Sequence, residues 1–561
     1  MVTKISVLAA YFLVMLVIGW YTRTHWKSSP ASYFLADRKL GTVILLATMA
    51  ATNFSAFTVF GVSGAGYRDG WSFFPIMGFG TGFMALSFWV IGRKAWRIGR
   101  ERGTITPSEL VNSLYGSPAL SLLFALVMIV FTVPYLALQP MAAGYALEEL
   151  VGLPYFYGSV LVTSIIVLYT LHGGMRAVAW TDLFQGLLMM ALLITAIVIT
   201  ASHHGGFAAA NGDVMAMKPE LFSRPGGMAR YLPGIWFSYM ALWFFCDPMF
   251  PQLFQRFFAA RDESALGRMM LFYPLVCTIV FFAPVAVGVL GHLSFPGLMG
   301  KQADRILPMV AAAVGGDFFA AIVIAAGLAA LMSTMDSQLL TLSSIFTRDI
   351  LPLLRRNQTA TSLPGRLFVI GLSLAGLGFA YRPPATILQI ATAAFTGLAV
   401  LFPTVFFGLY CKQVHAAAAI LSILCGETAL LVFHLEWASP GGFLPVIWVM
   451  LVAFGVYLTV HVLMSARRGH RPIDFPGWLM DRYVLVQVAI FLLAMDFWAW
   501  GTSRPFFFGV PLWIAYFVLL SALQTAAMAC MVRRDLRRGG IKALPGTPFL
   551  TFEAKGIVDD G

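Results

Sequence analysis

Charge is what this chain has least of. Asp, Glu, Lys and Arg make up 11% of its 561 residues, against about 25% in an average soluble domain, and a soluble core could not hide the apolar remainder. Cysteine is scarce too. The five present, Cys246, Cys277, Cys411, Cys425 and Cys530, lie in or at the ends of apolar runs without CxxC spacing, which argues against a disulfide framework or a zinc site. No GxSxG, HExxH or Cys/His constellation occurs, so an intramembrane enzyme has no machinery to point to. His203 and His204 form only a loop pair. The first apolar run lacks the basic n-region and small-residue cleavage pattern of a signal peptide and reads as a retained helix.

What is present is apolar length. Hydrophobic residues make up 59% of the chain and fall into fifteen runs, at about 5–21, 41–66, 72–92, 117–147, 155–171, 177–201, 231–258, 269–292, 316–346, 367–381, 384–410, 414–434, 444–465, 484–500 and 507–530. At about 20 residues per crossing, these predict an all-α polytopic membrane protein with about fifteen transmembrane helices. A net charge of +12 would suggest a nucleic-acid partner in a soluble protein. Here the Lys and Arg residues divide 28 to 9 between alternate connections, which reports orientation in a lipid bilayer instead. The Lys/Arg-rich side is the cytoplasmic one, so the N-terminus is expected outside and the C-terminus inside, with no nucleic acid bound. The connection at about 202–230 has room for a short surface helix. The tail opens with RRDLRR at Arg533 and reads as a stop-transfer anchor near anionic lipid.

Two runs are interrupted. AATNFSAFTVFGVSGAG (50–66) is rich in small and hydroxyl residues, and WFFCDPMFPQ (243–252) carries Pro248 and Pro251, each of which removes an amide donor from the helix. Proline kinks and small-residue faces are ordinary in membrane helices. Two breaks five helices apart, however, point to a transporter of inverted five-helix repeats with its solute bound at the breaks. Acids inside apolar runs are costly and functional by default. Asp182, Asp247 and Asp336 are of this kind, while Glu427 and Asp496 read as packing or interfacial residues. LMSTMDSQLLTLSS (331–344) gathers Ser333, Thr334, Asp336, Ser337 and Ser344 with no cation expected nearby. Such oxygens suit a hard monovalent ion, although Ser and Thr hydroxyls also bond back to their own helix.

GGMRAVAWTDLFQG (173–186), ALMSTMDSQLL (330–340), SYFLADRKLG (32–41) followed by ATNFSAF, and FPQLFQRFFAA (250–260) together resemble the sodium:solute symporter family of bacterial proline, pantothenate and monocarboxylate symporters. The resemblance covers about residues 1–465. It implies a leucine-transporter-type fold, with one helix before a 5+5 inverted repeat at about 41–204 and 231–410. Additional helices would follow at 466–530, and a cytoplasmic tail at 531–561. It also implies a sodium ion held by the carbonyls of Ala51, Phe54 and Ala330 and the hydroxyls of Ser333 and Thr334. A second sodium would use Asp182, Ser333, Asp336 and Ser337. Arg38 matches a residue implicated in coupling, and Tyr135, Trp243, Asp247 and Pro251 match substrate-binding positions. Asn53 stands where some members have aspartate.

The function so implied is sodium-coupled uptake of a small organic solute, an amino acid or short carboxylate, by a monomer in the inner (plasma) membrane. Asp247 would pair with a substrate ammonium, or, if protonated, would leave room for a monocarboxylate. Proton-coupled uptake, and a solute sensor acting through a separate partner, are the alternatives. A sensor would bind solute without flux.

Overall fold

The computed structural model describes residues 1–23, 29–354, 363–467, 482–496, 498–501, 503 and 506–537. Several of the counted loop cations, Arg504 among them, and the tail beyond Arg537 lie outside the described residues. Each of the fifteen apolar runs coincides with helix. Among the described residues, eleven helices are long and apolar enough to cross a membrane. They become twelve when Thr42–Asn53 and Phe57–Ser72, bent by 61°, count as one span. Three runs account for the difference from fifteen. Tyr155–Leu171 and Arg482–Leu493 are shorter helices, and the seventh run is divided into Pro233–Cys246 and Pro251–Ala259, of 14 and 9 residues.

The helix Gly316–Ile345 sits at the centre. It is buried along nearly its whole length from Phe319 onward, packed against Tyr155–His203, Pro118–Val151 and Val2–Arg23. A helix buried on every side has no solvent face to keep, and its few polar residues must find partners inside the fold. Its neighbour Tyr155–His203 turns at Gly174, where φ is 59° and ψ is −170°, a conformation that glycine tolerates because it has no Cβ. A Cβ there would also lie 2.8 Å from the Tyr33 carbonyl. The helices Val62–Asp69 and Glu263–Leu290 approach through glycine in the manner of small-residue membrane contacts. A Cβ on Gly288 would come within 2.2 Å of the Ser63 carbonyl.

The connection at 202–230 contains the helix Phe207–Met217. One departure from all-α is a two-stranded antiparallel hairpin, Phe506–Phe507 with Val510–Pro511. Another concerns Arg224, counted above as a loop cation, which is fully buried. Its Nε and Nη2 donate to the two Asp496 oxygens at 2.8 and 2.7 Å, with Trp500 at 4.4 Å and Trp236 and Trp513 within 6 Å of the guanidinium. The fourteenth run is helical only to Leu493, because Asp496 then turns at φ 36° to meet that arginine. The pair ties the last two helices to the 202–230 connection.

Candidate functional site

The first break follows Asn53. Phe54 leaves the helix at φ −84°, ψ 87°, its N–H still bonded to the Ala50 carbonyl. The amides released downstream are not left empty, as buried donors must not be. Phe57 N–H donates to Ser55 Oγ at 3.1 Å, and Ala56 N–H donates to Gln139 Oε1 at 3.1 Å from the helix Pro118–Val151. On the carbonyl side, Ser333 Oγ donates to the Ala51 carbonyl at 2.8 Å and Thr334 Oγ1 to the Thr52 carbonyl at 2.9 Å. Both hydroxyls also reach the Ala330 carbonyl, at 2.9 and 3.3 Å. Ala51, Ala330, Ser333 and Thr334 therefore converge in one place. Phe54 lies in the break itself, its ring against Tyr273 and Phe281.

The second break is made by proline. Pro233–Cys246 passes through one turn, Asp247–Met249, and Phe250 is extended before Pro251 starts the next helix. Pro251 supplies a preset φ at a position where its missing N–H costs nothing. The Cys246 thiol lies 3.0 Å from Asp247 Oδ1.

Between the breaks is a cavity of about 10 Å³, roughly one water molecule's worth. Tyr135, Trp243 and Asp247 line it, with Asn53, Thr58, Thr81 and five further apolar side chains, four of them phenylalanines. Pro251 is not in its wall; the adjacent Phe250 is. Phe395 crosses edge-on to Tyr135 at 4.8 Å and to Phe250 at 4.8 Å, so the aromatic wall is closed on itself. Thr58 Oγ1, Thr81 Oγ1 and Trp243 Nε1 are buried here with no hydrogen-bond partner among the described residues. With the Asp247 carboxylate, they are polar groups this wall can offer a solute.

The region expected to hold no cation holds one. Arg256, near the end of the apolar run 231–258, is fully buried on the helix Pro251–Ala259. Its Nη2 donates to Asp182 Oδ2 at 2.9 Å and to Ser337 Oγ at 2.7 Å. Its Nε donates to Thr48 Oγ1 at 2.9 Å and its Nη1 to the Gln252 carbonyl at 2.8 Å. Thr48 also donates to Asp182 Oδ2. Asp336 stands one residue before Ser337, accepting from Tyr169 Oη at 3.0 Å and from Ser337 Oγ at 3.2 Å. The structure thus brings Asp182, Asp336 and Ser337 together, but with a guanidinium bonded to Asp182 and Ser337, while the Ser333 hydroxyl bonds the Ala51 and Ala330 carbonyls. A buried carboxylate without a partner is expensive, which is the physical reason for an arginine at this depth.

Arg38 is half-buried. Its Nη2 donates to the Thr104 carbonyl at 2.7 Å and its Nη1 to the Phe258 carbonyl at 3.4 Å. Ala36, Asp37 and Arg38 all have φ between 49° and 57°, a left-handed stretch that costs non-glycine residues energy. Leu40 then pairs with Ala260, its N–H on the Ala259 carbonyl at 3.1 Å and its carbonyl receiving Arg261 N–H at 2.9 Å. The segment before the first broken helix is thereby fastened to the end of the second.

Ion pairs that the sequence does not reveal lie towards the two ends of the helices. Arg68 donates to Asp304 Oδ1 at 3.0 Å, and Asp304 Oδ2 accepts Ile387 N–H at 3.0 Å. At the other end Arg348 pairs with Glu109, while Asp349 accepts from Thr106 Oγ1 at 2.8 Å and Ser108 Oγ at 2.6 Å.

The sequence profile described as SSF, sodium:solute symporter family, matches residues 33–426. Sodium/proline symporters of Staphylococcus aureus strains RF122 and JH9 are each 28% identical over 450 residues, covering 77% of this chain and 86% of theirs. Among solved structures, a sodium-coupled sialic acid symporter in a substrate-bound outward-open state superposes with a TM-score of 0.70 at 19% identity, covering 83% of this chain and 98% of that one. A nucleobase-cation-symport-1 family transporter in a closed conformation superposes at 0.55 with 14% identity, covering 80% and 97%.

Proposed function

Because the chain belongs to the sodium:solute symporter family, we propose that it couples uptake of a small organic solute, an amino acid or a short carboxylate, to sodium by alternating access. The observation that carries this reading is the convergence of the Ser333 and Thr334 hydroxyls on the Ala51, Thr52 and Ala330 carbonyls, beside a cavity walled by both broken helices. In this reading sodium is held by the carbonyls of Ala51, Phe54 and Ala330 and the hydroxyls of Ser333 and Thr334. It closes the first broken helix and so favours the state that binds solute, which is a coupling free energy between two sites. Tyr135 and Trp243 contact the solute, Asp247 meets its polar end, and Pro251 sets the angle of the second break. Arg38 holds the two broken helices in step.

The oxygens of Asp182, Asp336 and Ser337, with Ser333 nearby, are the place for any second ion. Arg256 already bonds Asp182 Oδ2 and Ser337 there, while Asp182 Oδ1 is buried with no hydrogen-bond partner among the described residues, and so is the oxygen a second sodium would take. All fifteen helical runs are read as crossings, with the N-terminus outside, repeats at about 41–204 and 231–410, and residues 466–530 added after them. The protein works as a monomer in the plasma membrane.

The test is the melting temperature of the purified protein against amino acids, short monocarboxylates and amines, each in sodium and in potassium. A ligand that binds the folded state raises it in step with affinity. One class of solute is expected to stabilise the protein in sodium and not in potassium, and a solute shift indifferent to the cation would overturn the coupling.

A further inference from the structure

The last two helices lie beyond the residues 33–426 matched by the family profile, and their facing ends form a second cavity. It has a volume of about 420 Å³ and is lined by Tyr483, Cys530, Arg533, Arg534 and Arg537. Arg534 lies over the Tyr483 ring at 4.6 Å, and Arg482 lies over the same ring at 5.0 Å. One tyrosine thus orders two guanidiniums at the edge of the groove. The carboxylate nearest in sequence, Asp535, is already engaged. It accepts Arg93 Nη1 at 2.8 Å, Trp89 Nε1 at 3.1 Å and Arg534 Nε at 2.9 Å. Arg533 and Arg537 are exposed, so the groove presents a surplus of positive charge to whatever enters it.

The surface leading into the groove shows what enters. Leu519, Leu523, Ala526, Cys530, Arg533 and Arg537 are all exposed on the helix Leu512–Arg537. Their spacing of three or four residues puts them on one helix face. That stripe is apolar for four positions and then basic for two. On the helix Arg482–Leu493, Leu485 and Val486 are exposed beside Tyr483. An apolar track ending in arginines has the polarity profile of a phospholipid, acyl chain first and phosphate last. Arginine also matches phosphate geometry with two parallel donors.

We propose that this groove is a binding site for one anionic phospholipid, its phosphate headgroup held by the exposed Arg533 and Arg537 beside Arg534, whose Nε and Nη2 stay on Asp535, and its acyl chain laid along Leu519, Leu523 and Ala526. This goes beyond a basic tail attracted to a charged bilayer, since it requires one lipid in one groove. Asp535 ties the same turn to Arg93 and Trp89 of the helix Ala85–Arg102, so the groove lies where the last helix is fastened to the rest of the bundle.

The full-length protein is reconstituted in nanodiscs of phosphatidylcholine with or without phosphatidylglycerol. Retained lipid is then counted by native mass spectrometry, and melting temperature is read in parallel. The wild-type chain is expected to retain one phosphatidylglycerol and to melt higher with it. The pair Arg533→Gln and Arg537→Gln is expected to bind that lipid about 30-fold more weakly. Cys530→Trp, which fills the groove and removes no charge, is expected to lose it as well and keeps the test open should the Gln pair fold poorly. Arg100→Gln with Arg102→Gln removes the same charge elsewhere on that basic face and is expected to change nothing. The proposal is overturned if the groove variants retain the lipid as the wild type does, if the control pair loses it equally, or if inorganic phosphate alone gives the same shift in melting temperature.

Discussion

Ser333 Oγ donates to the Ala51 carbonyl at 2.8 Å across 282 residues of sequence. Neither end of this bond belongs to a regular helical ladder, since the carbonyl lies in the last turn before a break and the hydroxyl comes from the central helix. In the proposed reading, a sodium ion at this place takes both oxygens as ligands. Replacing Ser333 and Thr334 together by alanine is expected to raise the sodium concentration for half-maximal uptake at least tenfold. The cost in stability is expected to be about 1 kcal/mol per lost hydrogen bond. Sodium-dependent uptake and a urea or thermal melt check the two halves, and the Hill coefficient for sodium in the wild type is expected to be near one.

Arg256 and Asp182 are both without solvent exposure, at 2.9 Å. Removing one partner of such a pair leaves a stranded charge and typically costs about 3–5 kcal/mol, whereas removing both often costs far less. Arg256→Gln and Asp182→Asn are each expected to lower the melting temperature strongly, and the double variant to recover most of the loss. A double-mutant cycle with no coupling would show that the two charges are not a unit.

Asp247 and Trp243 share the cavity wall, and neither belongs to the hydroxyl and carbonyl cluster. Asp247→Asn and Trp243→Phe are therefore expected to raise the KM for solute, with the sodium requirement changing less. Solute and sodium titrations of uptake in the same vesicles separate the two effects. An equal shift in both would place Asp247 with the ion.

Arg224 and Asp496 make a buried bidentate pair amid three tryptophans. Asp496→Ala is expected to destabilise the protein by about 3–5 kcal/mol and to loosen the last two helices first. Hydrogen exchange along Arg482–Leu493 is the measurement that sees it, and uniform exchange across the fold would contradict the local role.

Much of the scaffold was legible because its signals are local. Apolar length marked each helical run, and Pro248 and Pro251 marked the second break by removing donors from one turn. The first break was legible for its small residues, and the resemblance pointed to Ser333 and Thr334 on the helix that meets it, whose hydroxyls bond the Ala51 and Thr52 carbonyls. What the sequence hid is long-range. Arg256 looks like a loop cation because it stands near the end of an apolar run, and nothing local says that it turns inward to Asp182, 74 residues earlier. Gln139 reads as one polar residue in a long helix, yet it closes the Ala56 amide 83 residues away. Arg224 was hidden for the same reason, since its partner Asp496 lies 272 residues on. Shorter helices such as Arg482–Leu493 were overestimated because the apolar run continues after the backbone has turned.

The central claim is that solute moves because sodium does. Purified protein in proteoliposomes, loaded with potassium and diluted into sodium or potassium buffer, reports it directly as accumulation of the solute identified by thermal shift. The account predicts accumulation above the external concentration only with an inward sodium gradient. It also predicts collapse when a sodium ionophore dissipates the gradient, and little change with a protonophore. Accumulation that ignores sodium and vanishes with the protonophore would contradict it.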